Sequence, residues 1–157
     1  MAITAAKPNF AKTLLDEVVD HVERPKTLPV GSYIATVGQW ETGESKQKKT
    51  PFVRFPLRFV SALDDVDADE LEAAGGASGK QARLDFYTTE DAIYRLDAFH
   101  EHCGEDLSDE ISRKAHNDNC MNAQVGVVVA HRYPLDAEGK PVPDAQPFID
   151  ITRTFKV

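Results

Sequence analysis

The segment Phe52–Val60, FVRFPLRFV, constrains this chain more than any other. Its apolar and polar residues alternate at period two. Val53, Phe55, Leu57 and Phe59 fall on one face, and Phe52, Arg54, Pro56, Arg58 and Val60 fall on the other. Successive strand side chains point to opposite sides, so this pattern predicts a half-buried β-strand. Proline cannot donate to a ladder, so Pro56 predicts a bulge or an edge position.

Other strands follow from the same period. The first is expected from about Ser32 to Trp40, followed by a polar loop, ETGESKQKKT. QARLDFY (81–87) predicts a third strand, with Ala82, Leu84 and Phe86 inward. The valine-rich run NAQVGVVVAH predicts a fourth strand, covered on much of both faces. FIDITRTFKV alternates again after a proline- and glycine-rich loop. Between the third and fourth strands, Ile93, Leu96, Phe99, His100 and Cys103 form a helical stripe within 88–104. Thr88 or Thr89 is the expected N-cap and Gly104 the expected stop. A second short helix is expected from Asp109 to His116.

Five strands with one helix between the third and fourth is the order of an OB-fold, a small closed β-barrel. The expected fold class is therefore mostly β, with a five-stranded OB-fold barrel over 29–157. A β-sandwich needs more strands than the pattern supplies. Residues 1–28 are an expected helical extension. Phe10, Leu14, Leu15, Val18, Val19 and Val22 recur at helical spacing, and Pro25 and Pro29 end the run. That stripe predicts docking on the barrel, self-association or a protein partner.

At 157 residues with 41% hydrophobic content, the chain suits one domain with one packed core. No apolar run approaches the ~18 residues of a membrane span. The opening MAITAAKPNF lacks a basic stretch followed by an apolar one, and two cysteines are too few for a disulfide scaffold. A cytoplasmic location and no membrane partner are the expectation.

The net charge of -8 argues against general coating of duplex DNA. The charge is unevenly placed, however. Residues 46–58 carry five cations and no anion, and residues 64–72, DDVDADELE, carry six anions and no cation. Screening confines a field to about 8–10 Å at physiological salt, so one basic groove can act on an acidic protein.

The run from Leu28 to Val60 holds Pro29, Gly31 and Tyr33, then Glu44, Ser45 and Lys46, then the apolar strand. CGEDLSD (103–109) and the loop residues Asp136, Gly139 and Lys140 follow. In this order and spacing, 29–157 resembles a bacteriophage family of OB-fold, single-stranded-DNA-binding-like proteins. The chain departs from that pattern in its N-terminal helix, its acidic insert and its acidic total. The resemblance implies single-stranded DNA binding in phage replication or recombination, within a host cytoplasm.

In an OB-fold, the loop between strands one and two is a lip of the groove, and strands two and three are its floor. That places Lys46, Lys48 and Lys49 on the lip, with Trp40 and Phe52 near it. Arg54, Arg58, Arg83 and Tyr87 fall on the floor. Cations neutralise phosphates, and aromatic rings stack on bases at about 1–3 kcal/mol each. The competing assignment is a solvated basic loop above ordinary ion-paired arginines. In that case the barrel is a protein-interaction module, a phage structural or host-directed factor.

Other chemistry finds little footing. His100, His102, Cys103, His116 and Cys120 are zinc-ligand types, but no Cys-x-x-Cys pair exists, and His100 and Cys103 belong to a helix stripe. No metal or cofactor is expected. GGASGKQ is one residue short of a P-loop and has Gln81 where Ser or Thr belongs. The acidic run lacks the spacing of a calcium loop. No hydrolase, zinc-protease or kinase motif is present, so the expectation is a protein that is not an enzyme.

Overall fold

The structure is a computed structural model and describes residues 26–142 and 144–157. The expected helix over 10–22, and any docking through it, lies outside the described residues. The elements in chain order are β1 (Gly31–Val37), β2 (Glu41–Glu44), β3 (Pro51–Ala62), α1 (Ala68–Ala73) and β4 (Gln81–Tyr87). They continue with α2 (Ile93–His102), α3 (Arg113–Cys120), β5 (Gln124–Arg132) and β6 (Phe148–Phe155). Among the described residues, no helix is long and apolar enough to cross a membrane.

The alternating segment becomes β3, the longest strand and the hub of one antiparallel sheet. Its first part pairs with β2, from Glu41 opposite Arg54 to Glu44 opposite Pro51. Its second part pairs with β1 along the same edge, from Val37 opposite Leu57 to Tyr33 opposite Ala62. Its other edge carries β4. β1 also pairs with β5, and β5 with β6.

Two expectations need correction. The sheet has six strands rather than five, and it is not closed into a barrel: β4 and β6 approach one another but share no ladder. The extra strand arises because the expected first strand does not run through Trp40. It breaks after Val37, where Gly38 packs against Pro56 and donates its N–H to the Pro56 carbonyl at 2.8 Å. The chain then returns to the same edge of β3 as β2, inside the segment expected to be loop. Pro56 sits in the gap between the β2 and β1 pairings. The N–H and C=O of a strand residue point the same way, so its missing donor faces that gap and breaks no ladder.

The period-two reading holds for the core. Val53, Phe55, Leu57 and Phe59 are buried, together with Tyr33, Ala35, Val37, Phe86, Val125, Val127 and Val129. Leu84, Ile149 and Ile151 are only partly covered and pack at its margin. α2 closes the core, with Leu96, Phe99 and His100 buried. The Phe99 ring lies 4.7 Å from Phe55 and 5.0 Å from Phe86.

The caps differ in detail from expectation. Neither threonine side chain caps α2. The N-cap is Ala92, and the Thr89 carbonyl takes the N–H groups of Ala92 and Ile93 instead. Thr88 Oγ1 donates to the Pro51 carbonyl, tying the end of β4 to the start of β3. Gly104, at φ +99°, ends α2 as expected. α3 begins at Arg113, later than expected, because Ser112 is the residue whose hydroxyl accepts an N–H, that of Ala115 at 3.1 Å.

Candidate nucleic-acid interface

The turn between β2 and β3 is tied at its base. Ser45 N–H donates to the Thr50 carbonyl at 2.9 Å, and Thr50 N–H donates to Ser45 Oγ at 2.9 Å. Lys49 takes a left-handed conformation, φ +51°, and donates to the Ser45 carbonyl. The closed turn leaves Lys46, Gln47, Lys48 and Lys49 exposed. Beside it lies an open cleft of about 590 Å³, lined by Lys46, Lys48, Thr50, Tyr87 and Thr89. Tyr87 reaches this place because β4 runs antiparallel to β3 and pairs Tyr87 with Phe52.

The outer face of β3 and β4 continues from that pair. Arg54 stands opposite Asp85, Pro56 opposite Arg83, and Arg58 opposite Gln81. This places Phe52, Arg54, Arg58, Arg83 and Tyr87 on one surface adjoining the three lysines. Lys46, Lys48, Lys49, Arg58 and Arg83 are exposed and form no ion pair with a described residue. Arg54 is different. Its Nε and Nη2 donate to the two Asp85 carboxylate oxygens at 2.7 and 3.0 Å, and Glu41 lies at 4.0 Å. The hydrogen bond to Asp85 raises the Arg54 pKa further above its ordinary value. The guanidinium also covers the Phe52 ring, 5.0 Å from its centroid. Phe52 is half-buried between Arg54 and Gly43, whereas Tyr87 is 48% exposed.

Trp40 lines a neighbouring cleft with Phe52, Glu44 and Pro51, at the base of the lysine turn. Its indole N–H donates to Asp118 Oδ1 on α3 at 2.8 Å, and its ring packs against the core margin. It does not line the cleft that Lys46, Lys48 and Tyr87 share.

The acidic run lies beyond the far end of β3 from the lysines. Twelve strand residues separate them, about 36 Å of chain at ~3.3 Å per residue, several screening lengths. Asp65 is held there by Ser32, whose N–H and hydroxyl donate to its carboxylate at 2.9 and 2.8 Å. Those bonds hold the Asp65 carboxyl below its ordinary range. Asp67 caps α1 by accepting the Glu70 N–H.

The zinc-ligand types are engaged with other partners. His100 Nε2 meets Asn117 Oδ1 at 2.7 Å, His116 Nδ1 meets Glu105 Oε1 at 2.9 Å, and His102 Nδ1 meets Thr154 Oγ1 at 2.7 Å. A hydrogen bond with Cys120, then burial, push the Cys103 thiol pKa upward, so it stays protonated. Among the described residues, no three His, Cys, Asp or Glu side chains are grouped to hold a metal ion.

Three cations near this face escaped the sequence reading. Lys26, Lys80 and Arg132 line a cleft of about 730 Å³ between β4 and β6, together with Arg83 and Phe148. Nothing in the local sequence signals that these two strands come side by side.

Comparison with protein-family models and with curated proteins gave no match.

Proposed function

We propose that this chain is a non-enzymatic, single-stranded-nucleic-acid-binding protein that holds exposed DNA strands during phage replication or recombination. We further propose that its sheet is an OB-type barrel left open between β4 and β6. The strand order supports this, because β1 pairs with both β3 and β5, and α2 and α3 join β4 to β5.

One observation carries the functional reading. The lysine turn and Tyr87 share one open cleft, at one end of the sheet face that carries the exposed Arg83 about 13 Å and Arg58 about 20 Å further along at ~3.3 Å per residue. Cations along a backbone track, next to an exposed ring, are the parts that sequence-tolerant single-strand binders use. A duplex hides the flat faces of its bases, so such a surface favours single strands.

The test is fluorescence anisotropy with a labelled 30-mer at ~50 and ~150 mM salt. Three to five phosphate contacts give a log–log salt slope of about -2 to -3.5 for single strands. Changing Lys46, Lys48 and Lys49 together to Ala is expected to weaken binding and flatten that slope. No binding at ~50 mM salt and micromolar protein would end the nucleic-acid reading.

The second reading, a protein-interaction module, draws on the Arg54–Asp85 pair. That arginine is already neutralised within the face, on a chain of net charge -8.

A further inference from the structure

The cleft between β4 and β6, about 730 Å³, is larger than the lysine-turn cleft of about 590 Å³. It is continuous with the β3–β4 face, because Pro56, Arg83 and Asp85 belong to both. Its basic side chains come from three separate parts of the chain. Lys26 precedes β1, Lys80 and Arg83 lie at the start of β4, and Arg132 ends β5.

Arg132 is held by contacts that a phosphate can replace. Its Nε lies 3.4 Å from Asp150 Oδ1, with the two side chains 61% and 50% exposed. Water screens an exposed pair of this kind, so exchange of the carboxylate for a phosphate oxygen costs little. The same guanidinium lies 5.3 Å from the centroid of the Phe148 ring, which is 39% exposed. The ring holds the guanidinium at the edge of the cleft, where its exposed N–H groups can meet a phosphate.

We propose that this cleft is a second binding segment for the same nucleic-acid strand. Lys80, Arg83 and Arg132 neutralise its phosphates, with Arg132 positioned by the Phe148 ring. The inference rests on the proposed single-strand binding and extends its site. From Tyr87, beside the lysine turn, to Gln81 at the start of β4, the strand covers about 20 Å at ~3.3 Å per residue. One strand following β4 therefore reaches both clefts, within the ~4–16 nucleotides that one OB fold occupies.

The test compares wild type with K80A/R132A in anisotropy titrations of a labelled oligothymidylate 30-mer across a salt series. K140A/K156A, which removes the same charge outside these clefts, is the control, and circular dichroism checks that each variant is folded. The expected result is about ten-fold weaker binding for K80A/R132A and a salt slope shallower by about 1.4, for two lost phosphate contacts. The control is expected to change binding much less and to keep the wild-type slope. If K80A/R132A binds as wild type does, or if the control loses as much, the cleft is not part of the site and the lysine-turn interface stands alone. Absence of binding by wild type overturns the interface and the cleft together.

Discussion

Arg54 and Asp85 face each other across β3 and β4 in a two-pronged pair, with Nε–Oδ1 at 2.7 Å and Nη2–Oδ2 at 3.0 Å. The pair lies in the middle of the proposed interface and sets a brake on it. Phosphate must compete with a carboxylate that already fits the guanidinium fork. Asp85→Asn removes the competing charge and frees Arg54. The expected outcome is single-strand binding several-fold tighter, with a salt slope steeper by about 0.7 for one added phosphate contact. Titration at three salt concentrations reads both. Unchanged affinity would show that Arg54 does not face the nucleic acid.

The extent to which the sequence disclosed this arrangement follows from what each signal measures. Period two in Phe52–Val60 reports only which side a residue faces, and the structure agrees for all nine. It cannot report the residue across the ladder, so the sequence left open whether Arg54 was free or ion-paired. Its partner lies 31 positions away, and only the β3–β4 register brings it near. Trp40 lies in one cleft with Phe52, but its bond to Asp118, 78 positions away, could not be read from the local pattern. The Lys80 and Arg132 cleft depends on two strands more than 60 positions apart, which no local pattern encodes.

The core prediction concerns Phe55, which is fully buried among aromatic neighbours. Its ring lies 4.7 Å from Phe99 and 6.1 Å from Phe86, so it joins β3 to β4 and to α2. Truncation removes the apolar contacts and leaves a cavity between three elements. Phe55→Ala is expected to cost about 3–5 kcal/mol, against well under about 1 kcal/mol for the exposed Tyr94→Ala. Urea unfolding followed by circular dichroism measures both. A Phe55→Ala midpoint close to that of wild type would mean that this face of β3 does not carry the core.

Acid is expected to weaken the fold through α2 and α3. His100 is fully buried, and burial pushes its pKa below the ordinary value of 6.5. The bond to Asn117 and the charges of Asp97 and Glu105 act the other way, His116 acts with burial, and the net shift is downward. The folded state therefore binds fewer protons at this group than the unfolded chain. The stability it contributes is complete above about pH 6.5 and falls as pH drops through that value toward the folded pKa. Glu105 adds to the loss at lower pH. Burial raises its pKa, but the bonds from Asn119 and His116 outweigh burial and hold it below its ordinary 4.5. The urea midpoint is expected to be lower at pH 5 than at pH 7.5. His100→Leu removes the first of these groups and is expected to flatten the dependence between pH 5 and 7. A midpoint that rises on acidification contradicts the assignment of His100 as a buried neutral imidazole.

The last prediction separates two of the aromatic side chains that sequence reasoning assigned to the groove, Tyr87 on its floor and Trp40 near its lip. Tyr87 lines the cleft with Lys46 and Lys48 and is 48% exposed, so its ring is available to a base. Trp40 is bonded to Asp118 at 2.8 Å and packs beside α2. Tyr87→Ala is expected to weaken single-strand binding by about 1–3 kcal/mol. Its salt slope should match wild type, because stacking releases no counterions. Trp40→Phe keeps much of the apolar packing but loses the indole N–H that Asp118 accepts. It is expected to lower thermal stability and to leave affinity unchanged, when measured well below its unfolding midpoint. The pair of variants therefore distinguishes a base platform from a structural anchor in one titration series. Equal losses of affinity in both would place Trp40 back at the interface, and no loss in Tyr87→Ala would leave the lysine turn as a charged lip without a stacking surface.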